Sequence, residues 1–294
     1  MSPSSSNSHD LEPTVSDQSL SVTRRLMRGQ GRASMLAYRM DPAQSVQSMA
    51  HGVDAKGRFL VSWIGNACCP VPESAEVNPV RTGGQPEPVP VRLEILRQSP
   101  DPMTRIAAAS LHLLGSLYVL SDDERIDLLA ERALPTMVGD LAGMRGAHVG
   151  VLVSDRVLLH DCYGVTPLSF DALVGESADA APVFPTMADD LEAFECVACL
   201  AEPTLRRVCD SVMCGLLRGR VHSTKAVVNP CPAVADKVFC VDVDQTGILF
   251  MRVLNGRATS VVADFSRNVH SLEGLDAEVS ALVESSTLVD DYRV

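Results

Sequence analysis

The stretch VFCVDVDQTGILFMRVLNGRATSVVADFSRNVHSLEGLDAEVSALV, residues 238–283, constrains the fold more than any other part of the chain. It reads as three short strands joined by two tight turns and followed by a helix. Asn255-Gly256 marks the second turn, because a two-residue hairpin loop needs positive φ at both central positions and this dipeptide accepts both. The first turn follows Asp242-x-Asp244-x-Thr246, where Gly247 is expected to supply positive φ and residues 248–251 to return as the partner strand. Pairing of this kind commits the C-terminal end of the chain to a βββα unit.

An apolar strand ending in Asp-x-Asp-x-Thr is also how haloacid-dehalogenase-like phosphatases present a nucleophilic Asp and a second Asp as acid/base. Position argues against that use. About fifty residues follow Asp242, too few for the βα units that would carry the remaining catalytic groups. No Lys follows Lys237, and Asp290-Asp291 fall in the terminal tail. A calcium loop fails as well: Asp242, Asp244 and Gly247 fit the spacing, but Thr246 and Val253 occupy ligand positions. Asp242 and Asp244 therefore read as turn residues, and Asp242→Asn is expected to cost at most about 1 kcal/mol.

Composition excludes further classes. A formal charge of -12 opposes nucleic-acid binding, which needs clustered cations. The polar N-terminus MSPSSSNSHDLEPTVSDQS has neither the basic start nor the apolar core of a signal peptide. The longest apolar stretch, residues 106–120, is too short for a bilayer and is interrupted by Ser110, His112 and Ser116. A cytoplasmic protein without membrane contact is expected, and there nine cysteines do not form a disulfide framework. Cys196-x-x-Cys199 with Cys209 and Cys214 invites a metal reading. Those cysteines sit in two apolar helical segments, broken at Pro203, where a free cysteine packs as a small hydrophobe. Cys68-Cys69 reads as structural or incidental.

Along the chain, residues 1–18 are Ser- and Pro-rich and read as a disordered tail. A short helix is expected at 21–28, ended by Gly29-Gln-Gly31, and strands at 33–38, 48–53 and 58–64. Residues 69–90 read as loop. Residues 89–96 alternate apolar Val91, Leu93 and Ile95 with Arg92 and Glu94, as a half-buried strand does. In 102–120 the alanines favour helix and the alternation of Leu111, Leu113, Leu117 and Val119 favours strand, so strand is expected in the second half. Ser121-Asp-Asp-Glu124 is a capping box opening a helix at 122–132, followed by a second short helix to residue 144. Two strands, 147–153 and 156–161, are expected around a tight Ser154-Asp155 turn, then a short helix at 169–174. Residues 176–188 read as a linker between an α+β unit at 19–175 and a C-terminal unit at 189–286, with 287–294 a tail.

Four pieces of sequence carry a resemblance. VRLEI with LHLLGSLYVLSDDERIDLLAERA resembles barrel strands and the acidic turn that opens the next helix, and GAHVGVLVSDRVLLHDCYGVTPLSFDAL resembles a closing hairpin. VDVDQTGILF and VVADFSRNVHSLEGLDAEVSALV are similar to the hairpin and closing helix of a small C-terminal domain. Together they resemble the haem-utilisation (HugZ-like) branch of the pyridoxamine-phosphate-oxidase-like split barrels. The resemblance implies an antiparallel split β-barrel followed by a small βββα-type domain, a homodimer, and a planar ligand, haem or a related tetrapyrrole, in haem or iron utilisation. Two other functions go with the architecture: an FMN-dependent oxidoreductase, and a non-catalytic protein that binds an enzyme of tetrapyrrole synthesis. Two departures bear on these. The segment DDLEAFECVACL lacks the His-Met-Asn…Asp-His run of close family members, and the early strands offer a flavin phosphate only Arg32, Ser34, Arg39 and Ser62.

For a haem iron the candidate ligands are His160, His112 and His270, with His160 first because Asp161 beside it is a candidate orienting carboxylate. That arrangement requires the strand to end at His160 and turn back, since adjacent strand residues face opposite ways. Trp63 and Tyr163 are the candidate rings for stacking on a planar ligand.

Overall fold

The computed structural model describes residues 16–38, 44–65, 88–102, 104–175, 183–227 and 231–291. The chain is α+β, with a curled antiparallel half-barrel sheet, a second four-stranded sheet, and helices on both. Among the described residues, no helix is long and apolar enough to cross a membrane.

The first helix, α1 (Asp17–Met27), starts earlier than its sequence suggests, because Ser16 caps it by accepting from the Ser19 amide. The end of the expected disordered tail is therefore the first turn of a packed helix. The large sheet runs β2 (Gln44–Val46), β1 (Arg32–Ala37), β5 (Val89–Gln98), β6 (Ala107–Val119), β7 (Ala147–Asp161), β4 (Phe59–Ile64), β3 (Met49–Val53), and β8 (Gly164–Leu168) adds to β7. Contact between β1 and β3 curls the sheet toward closure. Its inner face buries Met35, Trp63, Leu93, Leu111, Leu113 and Leu159 against α1 residues Val22 and Leu26. At one end of the outer face, α3 (Thr136–Ala142) seats Val138 and Ala142 against Leu60 and Val149. The helix before it, α2 (Asp122–Ala130), has the expected capping box at Ser121 and Glu124. Cys68, Cys69 and most of the 69–90 loop lie outside the described residues.

Two expectations fail in β6 and β7. The alanine-rich start of β6 is strand throughout, because it pairs with the end of β5. No turn occurs at Ser154-Asp155 either. β7 runs unbroken, with Leu114 opposite Arg156 and Gly115 opposite Ser154, so Asp155 is the extra residue of a β-bulge. Ser154 Oγ lies 2.8 Å from Leu114 O and 2.9 Å from Arg156 O, a local bond that mimics a turn signal in sequence. β8 was missed because Gly164 and Pro167 mask a five-residue edge strand; the short helix after it, α4 (Phe170–Gly175), is present.

The second sheet has the order β10 (Val238–Val243), β11 (Gly247–Leu254), β12 (Arg257–Asp264), β9 (Gly219–Ala226). The three expected strands are there, and β9 is a fourth. As an edge strand it is exposed along most of its length and shows no apolar alternation. One face of this sheet packs on α5 (Asp190–Ala198), α6 (Glu202–Met213) and α7 (Leu272–Asp291) through Phe194, Val208, Phe250, Val261 and Leu275. α7 continues to Asp291, through part of what reads as a tail. Val183 and Phe184, at the end of the expected linker, are buried. Asn255 and Gly256 have φ of 50° and 70°, the hairpin the sequence announces. Gly247 serves differently from expectation: a Cβ there would meet Ala263 O at 2.3 Å, so close backbone approach, not positive φ, demands glycine. Asp244 builds the turn, accepting from Thr246 N and Oγ1 (both 2.7 Å) and from Gly247 N (3.1 Å).

Asp242 is not a turn residue. It lies within β10, one residue before its end, with 6% of its surface exposed, and grips Arg25 of α1 through both carboxylate oxygens. Arg97 of β5 donates from Nη2 to the same carboxylate at 2.9 Å, and holds both oxygens of Asp190 of α5, from Nη1 at 2.5 Å and from Nη2 at 2.7 Å. Burial alone would raise the Asp242 carboxyl, but Arg25 and Arg97 together outweigh it and bring the pKa down to about 2. This cluster joins α1 and the half-barrel to the second sheet and its helices.

Candidate functional site

The register of β6 and β7 places Ser110 opposite His160 and His112 opposite Leu158. Both histidines therefore stand on the outward face of the half-barrel, one pair apart. Their rings meet edge to face, with centroids 4.8 Å apart and planes at 72°. His112 is half-buried: its Nδ1 lies 3.4 Å from an Arg92 nitrogen and its Nε2 lies 3.2 Å from Ser110 Oγ. A guanidinium can only donate, so Nδ1 is the acceptor and Nε2 carries the proton toward Ser110. Burial lowers the His112 pKa, with His160 and Arg92 adding to the shift against Glu94, and the ring is neutral near pH 7. His112 is thus occupied on both nitrogens, while the His160 ring is exposed.

His160 also lines a cleft of about 240 Å³ between the half-barrel and the second sheet. The sheet face turned away from the helices packs part of its area, at Val241, Leu249 and Val262, against Ala108. The rest is uncovered, and there the cleft opens. Ala107, Ala108 and Ala109 of β6 form one wall, Leu249 and Met251 the other, and Ser223, Lys225 and Ser260 the polar rim. Ala108 turns its methyl group to the second sheet and Ala109 turns its own into the half-barrel core, so the β6 wall beside the imidazole is shallow, built of Ala108 and Ser110 with strand backbone between them. Cys162 faces the same space, but burial and the neighbouring Asp161 push its thiol up to about 12, so it stays protonated at neutral pH.

The other sequence candidates fall elsewhere. Asp161 does not orient His160: its Oδ2 accepts from Ser19 Oγ at 2.6 Å and its Oδ1 from the amides of Tyr163 (2.8 Å) and Gly164 (3.2 Å). It shapes the β7–β8 turn and ties it to α1; β7 does not end at His160 but runs through it to Asp161 before the chain turns back. Trp63 is wholly buried, its ring 5.6 Å from that of His148, and offers no face to a ligand. Tyr163 donates its hydroxyl to Gln18, while its ring contacts His222 at 4.2 Å and lies under Arg220. His270 is exposed before α7 and does not line the cleft. Of the flavin-phosphate candidates, Arg39 lies outside the described residues, Ser62 is fully buried on β4, and Arg32 and Ser34 are on β1. The cysteines Cys196, Cys199, Cys209 and Cys214 lie on or beside α5 and α6, with Cys209 in the core. Among the described residues, no group of three or more His, Cys, Asp or Glu side chains is placed to hold a metal ion.

Sequence reasoning missed the cleft's second wall and its rim. β9 carries Ser223 and Lys225, and nothing local distinguishes an edge strand that faces a cleft from one that faces solvent. The one available signal was Lys225 itself, one of three lysines in the chain with Lys56 and Lys237.

No protein-family model and no curated protein matches the sequence. Among solved structures, the chain is similar to a haem-binding protein from Mycobacterium smegmatis at 15% identity, over 94% of this chain and 100% of that one, with a TM-score of 0.46. It is also similar to a protein of unknown function from Agrobacterium tumefaciens at 12% identity, over 92% of this chain and 99% of that one, with a TM-score of 0.33.

Proposed function

We propose that this protein binds haem or a related tetrapyrrole in the cleft between β6–β7 and the second sheet, with His160 as the iron ligand, in haem or iron handling. One observation carries the reading: the exposed imidazole of His160 stands at the edge of a cleft with apolar walls and a polar rim, beside the ring of His112. The donor set suits the group, since a neutral imidazole binds haem iron and apolar walls favour a porphyrin face. Bound haem would supply a redox-active iron with an open or exchangeable coordination site. The chain's own part is to hold His160 and to keep water from one porphyrin face with Ala108, Leu249 and Met251. His112 does not compete for the iron, because Arg92 and Ser110 occupy its nitrogens.

Hemin titration followed by absorbance tests this. Wild-type protein should develop a shifted Soret band, and His160→Ala should weaken binding about tenfold or more and move the maximum, since the residue that would hold the iron is gone. His112→Ala should have a smaller effect, and His270→Ala none. Unchanged affinity and an unchanged maximum in His160→Ala would remove His160 as the ligand.

The same face supports a homodimer. Leu36 and Leu114 flank Arg92 across β1, β5 and β6, and Tyr118 and Val153 continue the patch, all more than a third exposed. Exposed apolar side chains on a sheet face next to a ligand site suit a second copy, which would cover them and help enclose the ligand. Sedimentation should give a dimer that Leu114→Glu converts to monomer; a wild-type protein that stays monomeric as concentration rises would count against it.

A further inference from the structure

Among the described residues, Lys225 is the only Lys or Arg lining the cleft. The chain carries a net charge of -12, so a cation on an apolar cleft is an attraction for an anion that the rest of the surface repels. Lys225 is exposed on the edge strand β9, opposite Ala258 of β12, with Ser223 on the same strand and Ser260 on β12 beside it. The other charged group of the cleft, Asp161, has both oxygens engaged by Ser19, Tyr163 and Gly164. His160 and Lys225 belong to opposite walls: one comes from the half-barrel, the other from the second sheet. A ligand that satisfies both must span the cleft with a metal or imidazole-seeking centre toward β7 and an anionic group toward β9.

We infer that Lys225, with the hydroxyls of Ser223 and Ser260, forms a carboxylate-recognising rim, so that the cleft selects a ligand with free acid side chains over its neutral form. This rests on the tetrapyrrole reading and sharpens it: the ligand is a porphyrin whose propionates are free, entering with its acid edge toward β9. An ammonium on an exposed strand pairs with a carboxylate only modestly, so selection should be severalfold and sensitive to salt.

The test compares hemin with hemin dimethyl ester, each titrated in the same mild detergent buffer into wild-type protein, Lys225→Glu, Lys225→Arg and His160→Ala. Binding is read by the Soret band and by quenching of Trp63, the chain's one tryptophan. At low ionic strength hemin should bind wild type about fivefold more tightly than the ester, and 0.5 M salt should shrink the difference. Lys225→Glu should abolish or reverse the preference by weakening hemin alone, and Lys225→Arg should keep it; the Soret maximum should stay as in wild type in both. Equal affinities of wild type for hemin and the ester, or a preference untouched by Lys225→Glu, would overturn the rim while leaving haem binding standing. Absence of binding by either porphyrin, or a His160→Ala spectrum identical to wild type, would overturn the tetrapyrrole site and the rim with it.

Discussion

Asp242→Asn should destabilise the protein by about 3–5 kcal/mol, the range for removing one member of a buried ion cluster. The reason is charge balance. Arg25 and Arg97 face Asp242 and Asp190, and the Arg25 and Asp242 side chains are almost wholly buried. Removing the Asp242 charge strips Arg25 of its hydrogen-bonded carboxylate, with Asp244 acting on it only at longer range, and leaves Arg97 to Asp190. An amide also cannot accept from both arginines with the same strength as a carboxylate. Urea denaturation at pH 7 measures the loss. The double variant Asp242→Asn/Arg25→Met should recover a good part of it, because it removes the stranded charge along with its partner. A loss of 1 kcal/mol or less would mean that Asp242 behaves as the exposed turn residue its sequence context suggests.

The pH dependence has a fixed sign. Asp242 titrates at about 2 in the folded protein against 3.8 for an ordinary Asp. A carboxyl whose folded pKa is depressed contributes stability that is fully present above its unfolded pKa and is lost as pH falls through the folded one. Wild type and Asp242→Asn should therefore differ most above pH 4 or so, and their unfolding midpoints should draw together as pH approaches about 2.

Asp242 shows what one sequence reveals and what it withholds. The hairpin at Asn255-Gly256 and the capping box at Ser121 were legible because each is a local rule: the residues that make the feature are the residues that signal it. Asp242 and Asp244 look alike in VDVDQTG, yet one is paired with residues 217 and 145 positions away and the other with residues two and three positions away. The bulge at Asp155 read as a turn because Ser-Asp favours both, and only the partner strand decides between them. For the site, the register of β6 and β7 joined His112 and His160, two of the histidines the sequence singles out. Local sequence could not show that Asp161 spends its carboxylate on α1 and the β7–β8 turn, or that Lys225 comes to the same cleft from a strand 65 residues farther along than His160.

Gly115→Ala should cost about 3 kcal/mol, at the upper end of what overpacking a well-filled interior does. A Cβ at Gly115 would stand 2.0 Å from Val153 O and 2.7 Å from Ser154 Cα, so the obstacle is backbone and not the end of a flexible side chain. Neither strand can step aside cheaply. β6 is paired with β5 on its far side, and β7 with β4 and β8. Gly175→Ala is the control: nothing lies within 4 Å of a Cβ there, and its stability should stay within about 0.5 kcal/mol of wild type. The clash also sits at the register shift between Leu114 and Gly115, five residues from Ser110, the partner of His160. If the strands relieve it by slipping, His112 and His160 lose their contact, and hemin affinity should fall together with stability. A Gly115→Ala protein that unfolds at the wild-type urea midpoint would show that the bulge absorbs a methyl group by local bending, and would remove steric exclusion as the reason for glycine at this position.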